Sequence, residues 1–211
     1  MKFTKNLKKI KCVITSVLLI SIMQSCSNSP KDYQPQENSE GMVAIENIMT
    51  RVSVRQYTGQ AVPDDTIGIM LKAAMAAPSA KNEQPWEFVV LKDQAKRDEV
   101  AEKLQNIGDK AKTAGAVILI CGNTERFIEG APEYWVQDCS AATENLLLAA
   151  HALGLGAVWC GIYPVEERVS EIRRILSLPS HLVPLNVITI GYPTVIEQPK
   201  DKWDASKIIT I

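Results

Sequence analysis

Residues 146–161 read LLLAAHALGLGAVWCG, and this stretch decides the fold class. Its first half, Leu146–Leu153, is apolar on nearly every side and closes a helical pattern that begins at Pro132. A helix that is hydrophobic nearly all round belongs in a core or a subunit interface. Gly154 and Gly156 stop it, and Ala157–Cys160 then reads as a strand. The GxG here is not a dinucleotide fingerprint. That fingerprint follows a strand, opens a helix and carries a small residue at its sixth position. This one follows a helix, opens a strand and places Trp159 sixth. A Rossmann domain is thereby excluded.

Towards the N-terminus, Met42–Thr50 has apolar residues at 42, 45, 48 and 49, the spacing of a short amphipathic helix. Arg51–Val62 is extended or looped. Pro63-Asp64-Asp65 opens a helix through Ala76, with acids suiting the positive end of the helix dipole. Glu87–Leu91 reads as a strand, Asp93–Gln105 as a helix of alternating charge, and Ala116–Cys121 (AVILIC) as a buried strand. Towards the C-terminus, Val165–Leu176 is a helix and Val183–Ile190 a last apolar strand. Helices and strands mix without strict alternation, which predicts an α+β domain.

The first 25 residues have a different composition. They hold Lys2, Lys5, Lys8, Lys9 and Lys11 and no acids, followed by the apolar run Val13–Ile22. Such a run is too short to span a bilayer and has the form of a signal peptide. Met23-Gln24-Ser25-Cys26 follows and resembles a bacterial lipobox, which implies cleavage before Cys26 and lipid on Cys26. Several acyl chains anchor a protein stably where one does not. An ordinary signal peptide with Cys26 incidental is the other reading. Residues 27–40, SNSPKDYQPQENSE, are polar and unpatterned, so 26–41 reads as a flexible tether and 42–211 as the folded domain. The expected location is the bacterial cell envelope, with a lipid anchor in a membrane.

The whole chain of 211 residues carries a net charge of −1, but without the first 25 it has 18 basic and 24 acidic residues, a net of −6. That balance argues against nucleic-acid binding, which needs an excess of positive charge. Cys121, Cys139 and Cys160 show no CxxC spacing and read as buried free thiols. No metal-ligating cluster and no GxSxG nucleophile elbow is present in the sequence.

Four segments carry chemistry. In Arg51-Val52-Ser53-Val54-Arg55, an extended backbone puts Arg51, Ser53 and Arg55 on one side. Two guanidinium forks and a hydroxyl make a phosphate clamp; a solvated sheet edge of alternating charge is the plainer alternative. The loop Ala77-Pro78-Ser79-Ala80-Lys81-Asn82-Glu83-Gln84-Pro85-Trp86 sets short polar groups on a turn stiffened by prolines. It suits the edge of a planar heterocycle, or it is a structural connection with a packing Trp86. The third segment is the Gly154–Gly161 stretch, where Gly161 could allow close approach of its backbone N–H to a ligand. The last is Gly191-Tyr192-Pro193 followed by the basic tail with Lys200 and Lys202.

In this order the four segments resemble the FMN-binding elements of the nitroreductase family, over about Met42 to Ile211. The resemblance implies a nitroreductase-like fold, with a central, mostly antiparallel sheet flanked by helices in an intertwined homodimer. By the same analogy Arg51, Ser53 and Arg55 hold the ribityl phosphate, with Lys200 and Lys202 adding charge. Pro78, Ser79 and Asn82 line the isoalloxazine, and Cys160 and Gly161 lie against it, the Gly161 N–H near flavin N5. It also implies ping-pong reduction of nitroaromatics, quinones or similar small acceptors by NAD(P)H. Export would place the domain where free NAD(P)H is scarce, so another donor, or a non-catalytic electron-carrier lipoprotein, is the competing expectation. No side chain is singled out as a catalytic acid or base, because the flavin carries the chemistry.

Overall fold

The computed structural model describes residues 39–211; the expected signal peptide, the lipid site Cys26 and most of the tether lie outside the described residues. The described chain runs α1 (Ser39–Thr50), α2 (Asp64–Met75), β1 (Trp86–Val90), α3 (Gln94–Lys103), α4 (Lys110–Thr113), β2 (Ala116–Asn123), α5 (Tyr134–Ala152), β3 (Gly156–Gly161), α6 (Glu166–Leu176) and β4 (Leu182–Gly191). The four strands form one sheet in the order β1-β2-β4-β3, every neighbouring pair antiparallel. The α+β expectation and its antiparallel sheet are therefore met. The short α4 was not expected from the sequence, and α1 begins three residues before Met42.

Alternation along the strands explains the layers. In β2, Val117, Leu119 and Cys121 enter the core beneath α3, α4 and α6, while Ala116, Ile118 and Ile120 enter the core beneath α2 and α5. Every residue of β2 is buried, which is why AVILIC reads as a continuous apolar run rather than an alternating one. Strand β4 pairs on both sides and carries a bulge. Ile120 faces Asn186 but Cys121 faces Pro184, so Leu185 is the extra residue. Pro184, which has no N–H to give the ladder, sits at that irregularity.

Helix ends follow local chemistry. The Asp93 carboxylate accepts from the N–H groups of Ala95 and Lys96 and caps α3. At the end of α5, Gly154 takes φ +73° and the Leu155 N–H closes on Ala150 O at 2.9 Å. Gly156 has a different reason: a Cβ there would meet the Val54 side chain at 2.6 Å. The two glycines of GLG thus serve a helix stop and a close packing. Helix α1 departs from the amphipathic expectation in one respect. Met42, Val43, Ile45, Ile48 and Met49 are all more than half exposed. Polar contacts tie α1 to α5, with Asn47 donating to Leu148 O at 3.1 Å and Thr50 Oγ1 lying 2.9 Å from His151 Nε2.

Candidate cofactor site at the free edge of the sheet

Strand β3 is an edge strand, and the backbone of the 51–57 segment meets its outer side near its start. Ser53 bridges Ala157 in parallel, and the Val54 N–H donates to Ala157 O at 3.0 Å. The Ala157 carbonyl therefore points away from β4. Backbone groups alternate sides along a strand, so Trp159 and Gly161 also turn their N–H and C=O outward. Ile162, of opposite parity, donates inward to Leu185 O. The carbonyl of Gly161 accepts from Asn106 Nδ2 at 2.9 Å and from Arg168 Nη1 at 3.1 Å. A Cβ built on Gly161 would meet nothing within 4 Å. Beside Gly161 there is thus an open flank, with an N–H at its rim.

Cys160 faces the other way. Its thiol is buried in the core with Val158 and Ile162, and burial pushes its pKa up, against a smaller pull from Lys110 and Arg55. The open flank is consequently lined by Gly161 and not by the Cys160 thiol. Across the strand pair from Gly161, Asn186 donates to Thr143 Oγ1 at 3.0 Å. Its Oδ1 is buried without a partner among the described residues.

The segment 51–57 is pinned by a residue that sequence reading did not single out. The buried Tyr57 hydroxyl lies 2.7 Å from Val54 O and 2.9 Å from both the carbonyl and the hydroxyl of Thr189. Burial raises its pKa well above the ordinary phenol value, so it serves as a neutral hydrogen-bonding peg. Val54 is buried and Val52 packs against the same core, which turns Arg51, Ser53 and Arg55 to the opposite side as alternation requires. A cleft of about 260 Å³ is lined there by Arg51, Ser53, Arg55, Glu197, Lys200 and Lys202, among others. The tail reaches it because Thr58 and Thr194 bond to Tyr192 O and Gln56 O, holding Gly191-Tyr192-Pro193 beside the segment. Arg51 Nε pairs with Glu144 Oε1 at 3.0 Å on α5, which orients that guanidinium, and Arg55 Nη1 donates to Ser53 O at 3.0 Å. Four cations against Glu197 on the cleft wall make a site for a multiply charged anion.

The 78–84 loop is built differently. Lys81, Asn82 and Gln84 all take φ near +50° to +60°, conformations that cost non-glycine residues energy and persist only when the surroundings fix them. The fixing groups are visible. Ala80 N–H donates to the buried Asp138 carboxylate at 3.0 Å, Gln84 N–H to Ser79 Oγ at 3.0 Å, Gln84 Nε2 to Asn82 Oδ1 at 3.1 Å, and Arg126 to Glu83 O at 3.3 Å. Pro78 and Asn82 are exposed and Ser79 half-buried. Within one chain these three do not line the cationic cleft, and Trp86 packs in the core. Asp138 is the second residue the sequence reading passed over; an acid inside an otherwise apolar helix face was its available signal.

The nitroreductase family model matches residues 48–134 and 104–192. A Methanothermobacter thermautotrophicus protein that bears the name "Putative NADH dehydrogenase/NAD(P)H nitroreductase" is 43% identical over 167 residues, spanning 79% of this chain and 86% of the relative. A Bacteroides thetaiotaomicron crystal structure of the same name is 45% identical with a TM-score of 0.75, covering 80% of this chain and 96% of that one. A Desulfovibrio desulfuricans protein crystallised in complex with FMN is 30% identical with a TM-score of 0.70, covering 83% and 98%.

Proposed function

The chain belongs to the nitroreductase family, and from that premise we propose that it is an FMN-dependent oxidoreductase that reduces nitroaromatics, quinones or similar small acceptors with electrons from NAD(P)H or another donor. The observation that carries the reading is the gathering of Arg51, Ser53, Arg55, Lys200 and Lys202 around one cleft at the base of the free β3 edge. The residues fit the cofactor. Four cations and a hydroxyl suit its phosphate. From Ala157, beside Ser53, to the open flank at Gly161 is four residues, about 13 Å along a strand, a span suited to an extended ribityl chain and ring. FMN, when bound, would supply the two-electron redox chemistry that links donor to acceptor.

The protein's share is binding, orientation and shielding. Arg51, oriented by Glu144, and Arg55 grip the phosphate, and Lys200 and Lys202 bring the tail over it. Gly161 leaves room for the ring and offers its N–H at the rim near flavin N5. Pro78, Ser79 and Asn82 would line the ring from a loop held by Asp138. A homodimer agrees with the exposed apolar face of α1 and with Ile196, Trp203 and Ile209 on the tail, all more than half exposed, since apolar surface of that extent favours a partner.

Purified protein should show oxidised-flavin absorption that survives desalting and weakens when Arg51 and Arg55 become Ala. A folded, colourless protein after incubation with FMN would refute the reading. Residues 1–26 support a further proposal, an exported lipoprotein modified at Cys26. Cys26→Ser should move the protein from the membrane to the soluble fraction, and an unmodified mature N-terminus by mass spectrometry would refute it.

A further inference from the structure

Two donors from separate elements converge on a single carbonyl at the end of β3. Asn106 lies in the loop between α3 and α4 and Arg168 on the first turn of α6, and both donate to Gly161 O. An edge carbonyl is ordinarily left to water. Here it accepts a neutral amide and a guanidinium, both half-buried. Among the described residues no carboxylate lies within 4.0 Å of Arg168, although Glu167 and Glu171 share a cleft with it. Its charge is therefore directed at the Gly161 peptide rather than neutralised in an ion pair. Since Arg168 Nη1 is 3.1 Å from Gly161 O, it lies within about 7 Å of the Gly161 N–H, given the dimensions of one residue.

We propose that Asn106 and Arg168 are positioning residues for the redox site, which lock the Gly161 peptide at the open flank and bias the bound flavin towards its reduced, more electron-rich form. The inference rests on the FMN reading above. Two physical effects act together. Hydrogen bonds on the carbonyl, with the Ile162 N–H bond to Leu185 O, fix the plane of the Gly161–Ile162 peptide; this limits rotation about the Gly161 Cα and so steadies the Gly161 N–H, which belongs to the preceding peptide. The guanidinium adds positive potential where electron density accumulates on reduction, and at that range in a half-buried site one charge shifts an equilibrium by about tenfold. Neither side chain touches the flavin in this scheme; both act through Gly161 and through space.

The test is the midpoint potential of flavin bound to the full domain, measured by equilibrium titration against a reference dye. FMN affinity and the melting temperature of the flavin-stripped protein are measured in parallel. Arg168→Gln removes the charge but keeps a donor, and should lower the ratio of reduced to oxidised flavin about tenfold, about 30 mV for a two-electron couple. Arg168→Lys should recover most of that shift. Asn106→Ala keeps the charge and frees the carbonyl, and should lower the potential by a smaller amount. Unchanged potentials in both Arg168→Gln and Asn106→Ala, with flavin bound, would overturn the inference. So would a shift in Arg168→Lys as large as in Arg168→Gln, or a loss of FMN affinity that merely tracks a lower melting temperature. A wild-type protein that retains no flavin fails at the earlier step and defeats the cofactor reading itself.

Discussion

Gly161→Ala should stabilise the protein and weaken its cofactor at the same time. A Cβ at this position meets no heavy atom within 4 Å, and Gly161 is not among the glycines with positive φ. The substitution therefore introduces no clash and no backbone strain in the flavin-free chain. It also removes glycine's extra freedom from the unfolded state, which is worth about 0.4–1 kcal/mol at a compatible site. For a domain of this size that raises the melting temperature by about 1–4 °C. With FMN against the flank, the same methyl group overpacks a filled space, at about 1–3 kcal/mol. That corresponds to about 5- to 150-fold weaker binding. Differential scanning fluorimetry on flavin-stripped protein reads the first effect, and quenching of FMN fluorescence on titration reads the second. Opposite signs are the diagnostic result. A stripped variant that melts several degrees lower would show that the flank is packed. Affinity within twofold of wild type would show that the flavin lies elsewhere.

Other perturbations follow from the same geometry. Tyr57→Phe removes the buried hydroxyl whose single proton is shared between the Val54 and Thr189 oxygens and should lower stability by about 1–3 kcal/mol; a urea midpoint that barely moves, at constant m-value, would count against the peg. Asp138→Ala leaves the Ala80 N–H without its acceptor, so limited proteolysis should cut between residues 79 and 84 faster, while Asp138→Asn, which keeps an acceptor, should resist. Equal cleavage in all three proteins would dismiss Asp138 as the loop's anchor. Burial pushes the Cys121 thiol from 9.0 up to about 12. The folded state then holds a proton that the unfolded chain releases, so the stabilisation is complete below pH 9 and declines between about pH 9 and 12, at about 1.4 kcal/mol per pH unit per thiol. Urea unfolding of Cys121→Ala from pH 8 to 11 should show a shallower decline than wild type, and parallel slopes would refute the assignment.

Much of the fold was legible because its core elements are strongly patterned. AVILIC reads as a doubly covered strand since both faces of β2 are packed. Gly154 marks the end of α5 because only a left-handed residue closes that turn without strain. The alternation in Arg51–Arg55 also held, with Val54 inward and the two arginines on the cleft. Helix α4, four residues long, was missed because so short a turn contains too little periodicity to register. The burial of the Cys160 thiol was legible, but its face was not, because one residue's parity in a short strand depends on the partner strand's register, which the local sequence does not contain.

By itself the sequence determined the α+β class, the positions of the main helices and strands, and the kinds of group offered to a ligand. Those properties depend on local periodicity, backbone preference and residue chemistry, all of which act over a few neighbouring residues. The tertiary structure alone decided that β3 lies at the sheet edge, with no further strand paired along its outer side among the described residues. It also decided that Tyr57 and Asp138 hold the two site segments, and that Asn106 and Arg168 meet on Gly161 O. Each of these rests on contacts between residues far apart in the chain. Strand order and packing create such contacts, and no local pattern encodes them.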